Sequence, residues 1–161
     1  MFNYKRRESS ETLVGKVALG AKNPIRIQSM TNTNTMNTEK SVQQAILIAE
    51  EGGELVRLTA QGTREAENLK EIHSLLREKG YDTPLVADIH FNPKAAEVAA
   101  QYVEKVRINP GNFANGGIEE IEKKLIPLLD ICKKHQTAIR IGVNHGSLSS
   151  RFLDKSGDTP Q

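Results

Sequence analysis

The stretch KVRINPGN, residues 105–112, poses the question that decides the fold. Val106 and Ile108 have the character of a buried β-strand, yet an arginine stands between them. The chain repeats the arrangement in PIRIQS at 24–29, LVRLT at 55–59 and AIRIG at 138–142. Side chains on a strand alternate between its two faces. Arg26 then shares a face with Gln28, Arg57 with Thr59, Asp88 with His90, Arg107 with Asn109, and Arg140 with Gly142 and Asn144. The other face is aliphatic throughout: Ile25 and Ile27, Val56 and Leu58, Ala87 and Ile89, Val106 and Ile108, Ile139 and Ile141.

These segments fit strands near 24–28, 54–58, 84–88, 103–108 and 138–142. Amphipathic helical patterns separate them. Residues 38–51 place Val42, Ala45, Ile46 and Ala49 on one face, with Asn37 or Thr38 as cap and Gly52-Gly53 as terminator. Residues 63–79 do the same with Ala66, Leu69, Ile72 and Leu76, closed by Gly80. Asn92-Pro93 opens a short helix to about Gln101. The pattern at 117–134 stacks Ile118, Ile121, Leu125, Leu128 and Cys132, and Pro127 is expected to kink or split it.

The order is βαβαβαβαβ, so the strands are parallel and helices cover the sheet. An open doubly wound sheet has helices on both faces and strands that are hydrophobic on both. A barrel has helices outside and its own interior inside, with polar residues tolerated toward the carboxyl ends of the strands. One aliphatic and one arginine-bearing face therefore indicates a partial (β/α)8 TIM barrel of about five βα units. Residues 1–20 read as a polar N-terminal arm, and 21–161 as the N-terminal part of the barrel domain.

The chain has 161 residues, 37% of them hydrophobic and 26% charged, as suits a folded globular protein. A net charge of +2 makes no global case for nucleic acid, and 4% aromatics argue against base stacking. No apolar run is long enough for a transmembrane helix, and the amino terminus lacks the apolar core of a secretory signal. No membrane partner and a cytoplasmic location are expected. The single cysteine, Cys132, excludes an internal disulfide and a cysteine-ligated cluster within the chain. It is expected to be a small core residue. There is no HExxH pair, P-loop or dinucleotide-binding glycine motif.

Four inward arginines against Asp88 leave an excess of positive charge. The guanidinium fork suits phosphate, so an anionic ligand, best a diphosphate or cyclic diphosphate, would restore neutrality. A structural explanation, with the arginines simply paired to carboxylates, competes at each position taken singly. The loops after the strands (SMTNTNTMNTEK, TAQGTRE, HFNP, NPGNFANGG and VNHGSLSSR) are rich in amides, hydroxyls and glycine. His90 and His145 lie on the inferred mouth, where each is either a ligand or proton carrier or a neutral hydrogen-bonded residue. His73 and His135 read as non-catalytic.

PIRIQSMTNTNT, GGELVRLTAQG, PLVADIHFNP, VRINPGN and RIGVNHGSL, in this order, resemble the 4-hydroxy-3-methylbut-2-enyl diphosphate synthase family from about residue 20 onward. The resemblance implies an oxidoreductase of the non-mevalonate isoprenoid pathway whose first domain is a TIM barrel related to dihydropteroate synthase. It implies reductive conversion of 2-C-methyl-D-erythritol 2,4-cyclodiphosphate to 4-hydroxy-3-methylbut-2-enyl diphosphate. It also implies ferredoxin or flavodoxin as electron donor and a [4Fe-4S] cluster on a separate domain. By motif, the diphosphate-holding arginines map onto Arg57, Arg107 and Arg140. Asp88, Asn109 and Asn144 match polar positions of the same mouth, followed by His90 and His145. Arg26 matches a motif but no ligand position. The cluster ligands and the family's acid–base glutamate have no counterpart in this sequence, so no catalytic residue is assigned. An N-terminal segment, inactive alone and prone to self-association through its open edges, is expected. A pterin-binding barrel of the dihydropteroate synthase type and a non-catalytic phosphate-binding module are the competing readings.

Overall fold

The computed structural model describes residues 7–113 and 117–143. Two short strands, β1 (Thr12–Val14) and β2 (Val17–Leu19), form an antiparallel hairpin. Five strands then build one parallel sheet: β3 (Gln28–Met30), β4 (Leu55–Thr59), β5 (Leu85–Ile89), β6 (Lys105–Ile108) and β7 (Ala138–Ile141). The crossovers carry α1 (Thr38–Glu50), α2 (Thr63–Glu78), α3 (Pro93–Ala99), the four-residue α4 (Pro110–Phe113) and α5 (Ile118–His135).

Spatial order equals sequence order, β3-β4-β5-β6-β7. A doubly wound sheet reverses direction at a switch point, whereas a barrel adds each strand beside the last. Curvature is also visible across the sheet. Lys105 on β6 donates from Nζ to Gln28 Oε1 on β3 at 3.2 Å. In a flat sheet three strand spacings would hold those backbones about 14 Å apart. The side chains meet because the sheet curls toward its inner face. The structure is a partial TIM barrel.

The aliphatic parity faces outward as expected. Val56, Leu58, Ala87, Ile89, Val106 and Ile108 are buried in one cluster with Val42 and Ala45 of α1, Leu69 and Ile72 of α2, the alanines of α3, and Leu128 and Cys132 of α5. Each large side chain so buried contributes about 1.5–3 kcal/mol. At the two outer strands the same parity is exposed: Ile25 and Ile27 before β3, and Ile141 on β7. No helix among the described residues covers those edges.

Local signals explain the helix limits. Asn37 accepts from Lys40 N and caps α1, while Gly52 takes the left-handed conformation (φ +88°) that ends it. Asn92 caps α3 by accepting from Lys94 N and Ala95 N, with Pro93 next. Pro127 does not split α5. It stands on the exposed side of the helix, where the carbonyl it leaves without a donor meets water.

Two expectations need correction. Part of the segment read as a polar arm is ordered: the hairpin buries Val14 completely against Leu55 and Val86, with Leu19 and Ala138 alongside, and plugs the amino-terminal end of the interior. Three-residue strands show too little periodicity to reveal this. The first parallel strand also begins at Gln28 rather than near residue 24. Arg26 therefore precedes the strand and turns to the hairpin side, donating to Ala18 O at 3.0 Å and to Glu54 Oε1 at 2.7 Å. It is a structural ion pair away from the mouth.

Candidate functional site: a cationic barrel mouth

Alternation on β4, β5 and β6 points Arg57, Asp88 and Arg107 into the interior near the carboxyl ends of their strands. The register sets Thr59 beside Asp88, Asp88 beside Arg107, and Arg107 beside Arg140. Asp88 is the hub. Its Oδ2 accepts from Arg57 Nη2 at 2.5 Å and lies 3.1 Å from His90 Nε2, and its Oδ1 accepts from Arg107 Nη1 at 3.1 Å. Burial pushes this carboxyl up, but the hydrogen bonds and charges of Arg57 and His90 outweigh it and hold Asp88 below the usual carboxylate range. Asp88 is thus an anion at neutral pH.

His90 Nε2 also lies 3.1 Å from Arg107 Nη1. With that nitrogen bare the ring accepts from Arg107; with it protonated the ring donates to Asp88. The histidine can therefore switch between the two partners as its proton moves. Arg107, 5% exposed, completes its fork on the Gly142 carbonyl at 2.9 Å. A Cβ on Gly142 would stand 2.2 Å from Arg107 Nε, so the guanidinium needs a glycine there. Asn109 is buried just beyond β6, where its Oδ1 accepts from Gly111 N.

The cluster is short of acceptors. Arg57 Nε is buried without a hydrogen-bond partner among the described residues. Arg140 is exposed beside Arg107 and makes no ion pair among them. Lys105, one inner position below Arg107, was not singled out from sequence although it shares the parity of Arg107. Here it is 7% exposed, its chain turned inward by the same alternation that orients Arg107. With Arg26 removed and Lys105 added, the inner face still carries four cations among the described residues, Arg57, Lys105, Arg107 and Arg140, against Asp88.

Of the eight residues singled out from sequence, the structure brings Arg57, Asp88, His90 and Arg107 into one bonded cluster, with Asn109 and Arg140 at its side. Asn144 and His145 lie outside the described residues. The polar loop after β3 behaves otherwise. Gln44 holds the backbone of Asn32 and Thr33, Thr35 donates to Thr59 O, and Asn68 donates to Thr35 O. These amides and hydroxyls tie the loop to α1 and α2.

The residues present do not fit an iron–sulfur cluster. Cys132 is buried on α5 and burial pushes its thiol up to about 11, which disfavours the thiolate that iron requires. Among the described residues no group of three His, Cys, Asp or Glu side chains could hold a metal ion. No described helix is long and apolar enough to cross a membrane.

Sequential parallel strands, an outer helical layer and an arginine-lined mouth define the first domain class here, a TIM-barrel domain. Residues 9–161 match the family model described as the GcpE TIM-barrel domain, and the chain belongs to that family. It is 60% identical, over its whole length, to the 4-hydroxy-3-methylbut-2-en-1-yl diphosphate synthase (flavodoxin) of Phocaeicola vulgatus and 56% identical to that of Bacteroides thetaiotaomicron. It spans 29% of the length of each of these relatives. Among solved structures, a truncated 3-deoxy-D-arabino-heptulosonate 7-phosphate synthase from Thermotoga maritima is similar with a TM-score of 0.58 at 15% identity. That likeness covers 94% of this chain and 52% of the other, and shows the fold alone.

Proposed function

We propose that this chain is the substrate-binding barrel part of a synthase that reductively opens 2-C-methyl-D-erythritol 2,4-cyclodiphosphate to 4-hydroxy-3-methylbut-2-enyl diphosphate. The observation that carries this is the charge imbalance of the mouth: four inward cations face one carboxylate, and a buried guanidinium N–H of Arg57 is left unpaired. A cyclic diphosphate is a dianion with acceptor oxygens spread over two phosphorus centres. It supplies acceptors to Arg57, Arg107 and Arg140 together, and leaves Asp88, Asn109 and His90 for the polar sugar-alcohol atoms. Asn144 and His145 belong to the same proposed set by sequence motif.

The barrel's role is to bind and orient the ring. Electrons would come from a [4Fe-4S] cluster, which the family resemblance implies on a separate domain, with flavodoxin, the donor that the relatives' names print, supplying it. With one cysteine in the chain and no metal-holding group among the described residues, the chain alone is not expected to perform the reduction. Its exposed edge residues, Ile25, Ile27, Ile141 and Val143, favour self-association, which sedimentation velocity would register as a species larger than 17.8 kDa.

Calorimetric titration with the cyclic diphosphate tests the reading. The parent chain is expected to bind, and Arg107→Ala and Arg140→Ala each to weaken binding by about 1.5–3 kcal/mol, the range for hydrogen bonds to charged groups. Unchanged affinity in both variants would sink it.

A further inference from the structure

We propose that Lys105 is a further anion-contacting residue of this mouth, its ammonium set one inner position below Arg107 and Arg140 and level in register with Arg57, to give a bound diphosphate a fourth cationic contact. The inference rests on the diphosphate reading above.

Three observations carry it. The first is placement. Lys105 shares the inner parity of β6 with Arg107 and Asn109, and its neighbours in register are Val86 on β5 and Ala138 on β7. Those two residues close the apolar floor with Val14 and Leu19 of the hairpin, so the lysine chain lies between an apolar floor and a polar mouth. The second is its partner. Nζ donates to the neutral amide oxygen of Gln28 at 3.2 Å, and no described carboxylate lies within ion-pair distance. Asp88, the acidic group of this face, is already engaged by Arg57, Arg107 and His90. The third is cost. An ammonium with 7% exposure and no anion beside it is expensive to keep. A core serving stability alone would be better served there by methionine or leucine. A ligand that brings negative charge removes the cost.

Around Lys105, Gln28 of β3 accepts its hydrogen bond and the charges of Arg57 on β4 and Arg140 on β7 act on it, while Asp88 of β5 and Arg107 of its own strand stand one inner position further along. From the hairpin, the apolar Val14 and Leu19 pack in the floor beneath. Burial, reinforced by the charges of Arg140 and Arg57, pulls the lysine down to about 8. A bound dianion reverses that balance and restores the charged form. Binding should then take up a proton when it occurs near or above pH 8, and affinity should fall as pH rises through that value.

The test is calorimetry of the full chain at pH 7 and pH 9: inorganic pyrophosphate reads affinity alone, because it titrates in this range itself, and the cyclic diphosphate, which does not, reads both affinity and proton uptake in buffers of different ionisation enthalpy. Expected are proton uptake at pH 9 in the parent, affinity at pH 7 reduced roughly tenfold or more in Lys105→Gln, and loss of the uptake in that variant. Ligand-free Lys105→Gln should melt no lower than the parent, which a merely structural lysine would not allow. Lys105→Arg should keep the affinity and lose the uptake; it carries the test if the glutamine variant fails to fold. Parent-like affinity and uptake in Lys105→Gln, or persistent uptake in Lys105→Arg, overturns the assignment while the arginine mouth stands. A folded parent that binds neither diphosphate overturns the diphosphate reading and this inference together.

Discussion

Two carboxylates, Asp88 at the mouth and Glu104 just before β6, are built alike and end differently. Each gathers a histidine and an arginine, with a second arginine on Asp88. Glu104 Oε1 meets His73 Nε2 at 2.9 Å and Arg77 Nη2 at 2.8 Å, while Oε2 accepts from Leu85 N at 2.7 Å. Arg77 Nη1 donates in addition to Tyr81 O and Thr83 O. Burial pushes Glu104 up, but the hydrogen bonds from His73 and Leu85 N and the nearby charges hold it low. Around Glu104 the donors find protein acceptors; this is a lock that pins α2 to the amino-terminal ends of β5 and β6. Around Asp88 they do not. Cations exceed carboxylates, and Arg57 Nε has no acceptor among the described residues. A structural cluster closes its own charge, and a binding cluster leaves some open.

The largest expected effect uses both carboxylates. Asp88→Asn leaves Arg107 buried without its anion and should cost about 3–5 kcal/mol in urea unfolding, and Glu104→Gln about 3 kcal/mol. The two should separate on adding pyrophosphate, which has no hydroxyls to miss Asp88. It should return much of the loss in Asp88→Asn by occupying the freed arginines, and add to Glu104→Gln only what it adds to the parent. Equal rescue would erase the distinction between lock and site. Gly142→Ala comes next. A methyl 2.2 Å from Arg107 Nε must displace that guanidinium, with an overpacking cost of about 1–3 kcal/mol and weaker pyrophosphate binding. Affinity equal to the parent's would show that Arg107 does not need its present place.

Acid should act more gently. Both carboxylates have folded pKa values below their ordinary range, so their stabilisation is complete above the unfolded value near 4 and is lost as pH falls through the folded one. The urea midpoint should be flat near pH 6 and decline below about pH 4. Glu104→Gln should decline less steeply than the parent, and an identical slope would mean that Glu104 is not held in the charged form by its neighbours.

What was legible in the sequence was parity. Where a strand is five residues long and flanked by helices, as at 55–59 and 85–89, an arginine or aspartate between aliphatic residues has only one direction to point, and both the barrel and the Asp88 cluster follow. What escaped had tertiary causes. Gly142 is defined by the approach of Arg107 from another strand, and its own neighbours in sequence carry no trace of that. Lys105 shares the parity of Arg107 within 103–108, but its burial and the bond to Gln28 across the curled sheet appear only in the fold. The hairpin at 12–19 is too short for a period. Asn144 and His145, to which both the parity and the family motifs pointed, lie outside the described residues.

Arg26 gives the smallest expected effect and the sharpest check on that parity argument. It looks like Arg57 in sequence, an arginine between two aliphatic residues. In the structure β3 starts two residues later, because Glu54 binds both Arg26 and the backbone N–H of Ile27. The backbone bond, followed by Arg26, holds Glu54 below the usual range. Arg26→Gln should therefore leave diphosphate affinity and its salt dependence at the parent's values, while Arg57→Gln lowers both. If Arg26→Gln weakened binding as Arg57→Gln does, the pairing with Glu54 would not exist in solution. The first strand would begin near residue 24, and the inner face would carry a fifth cation.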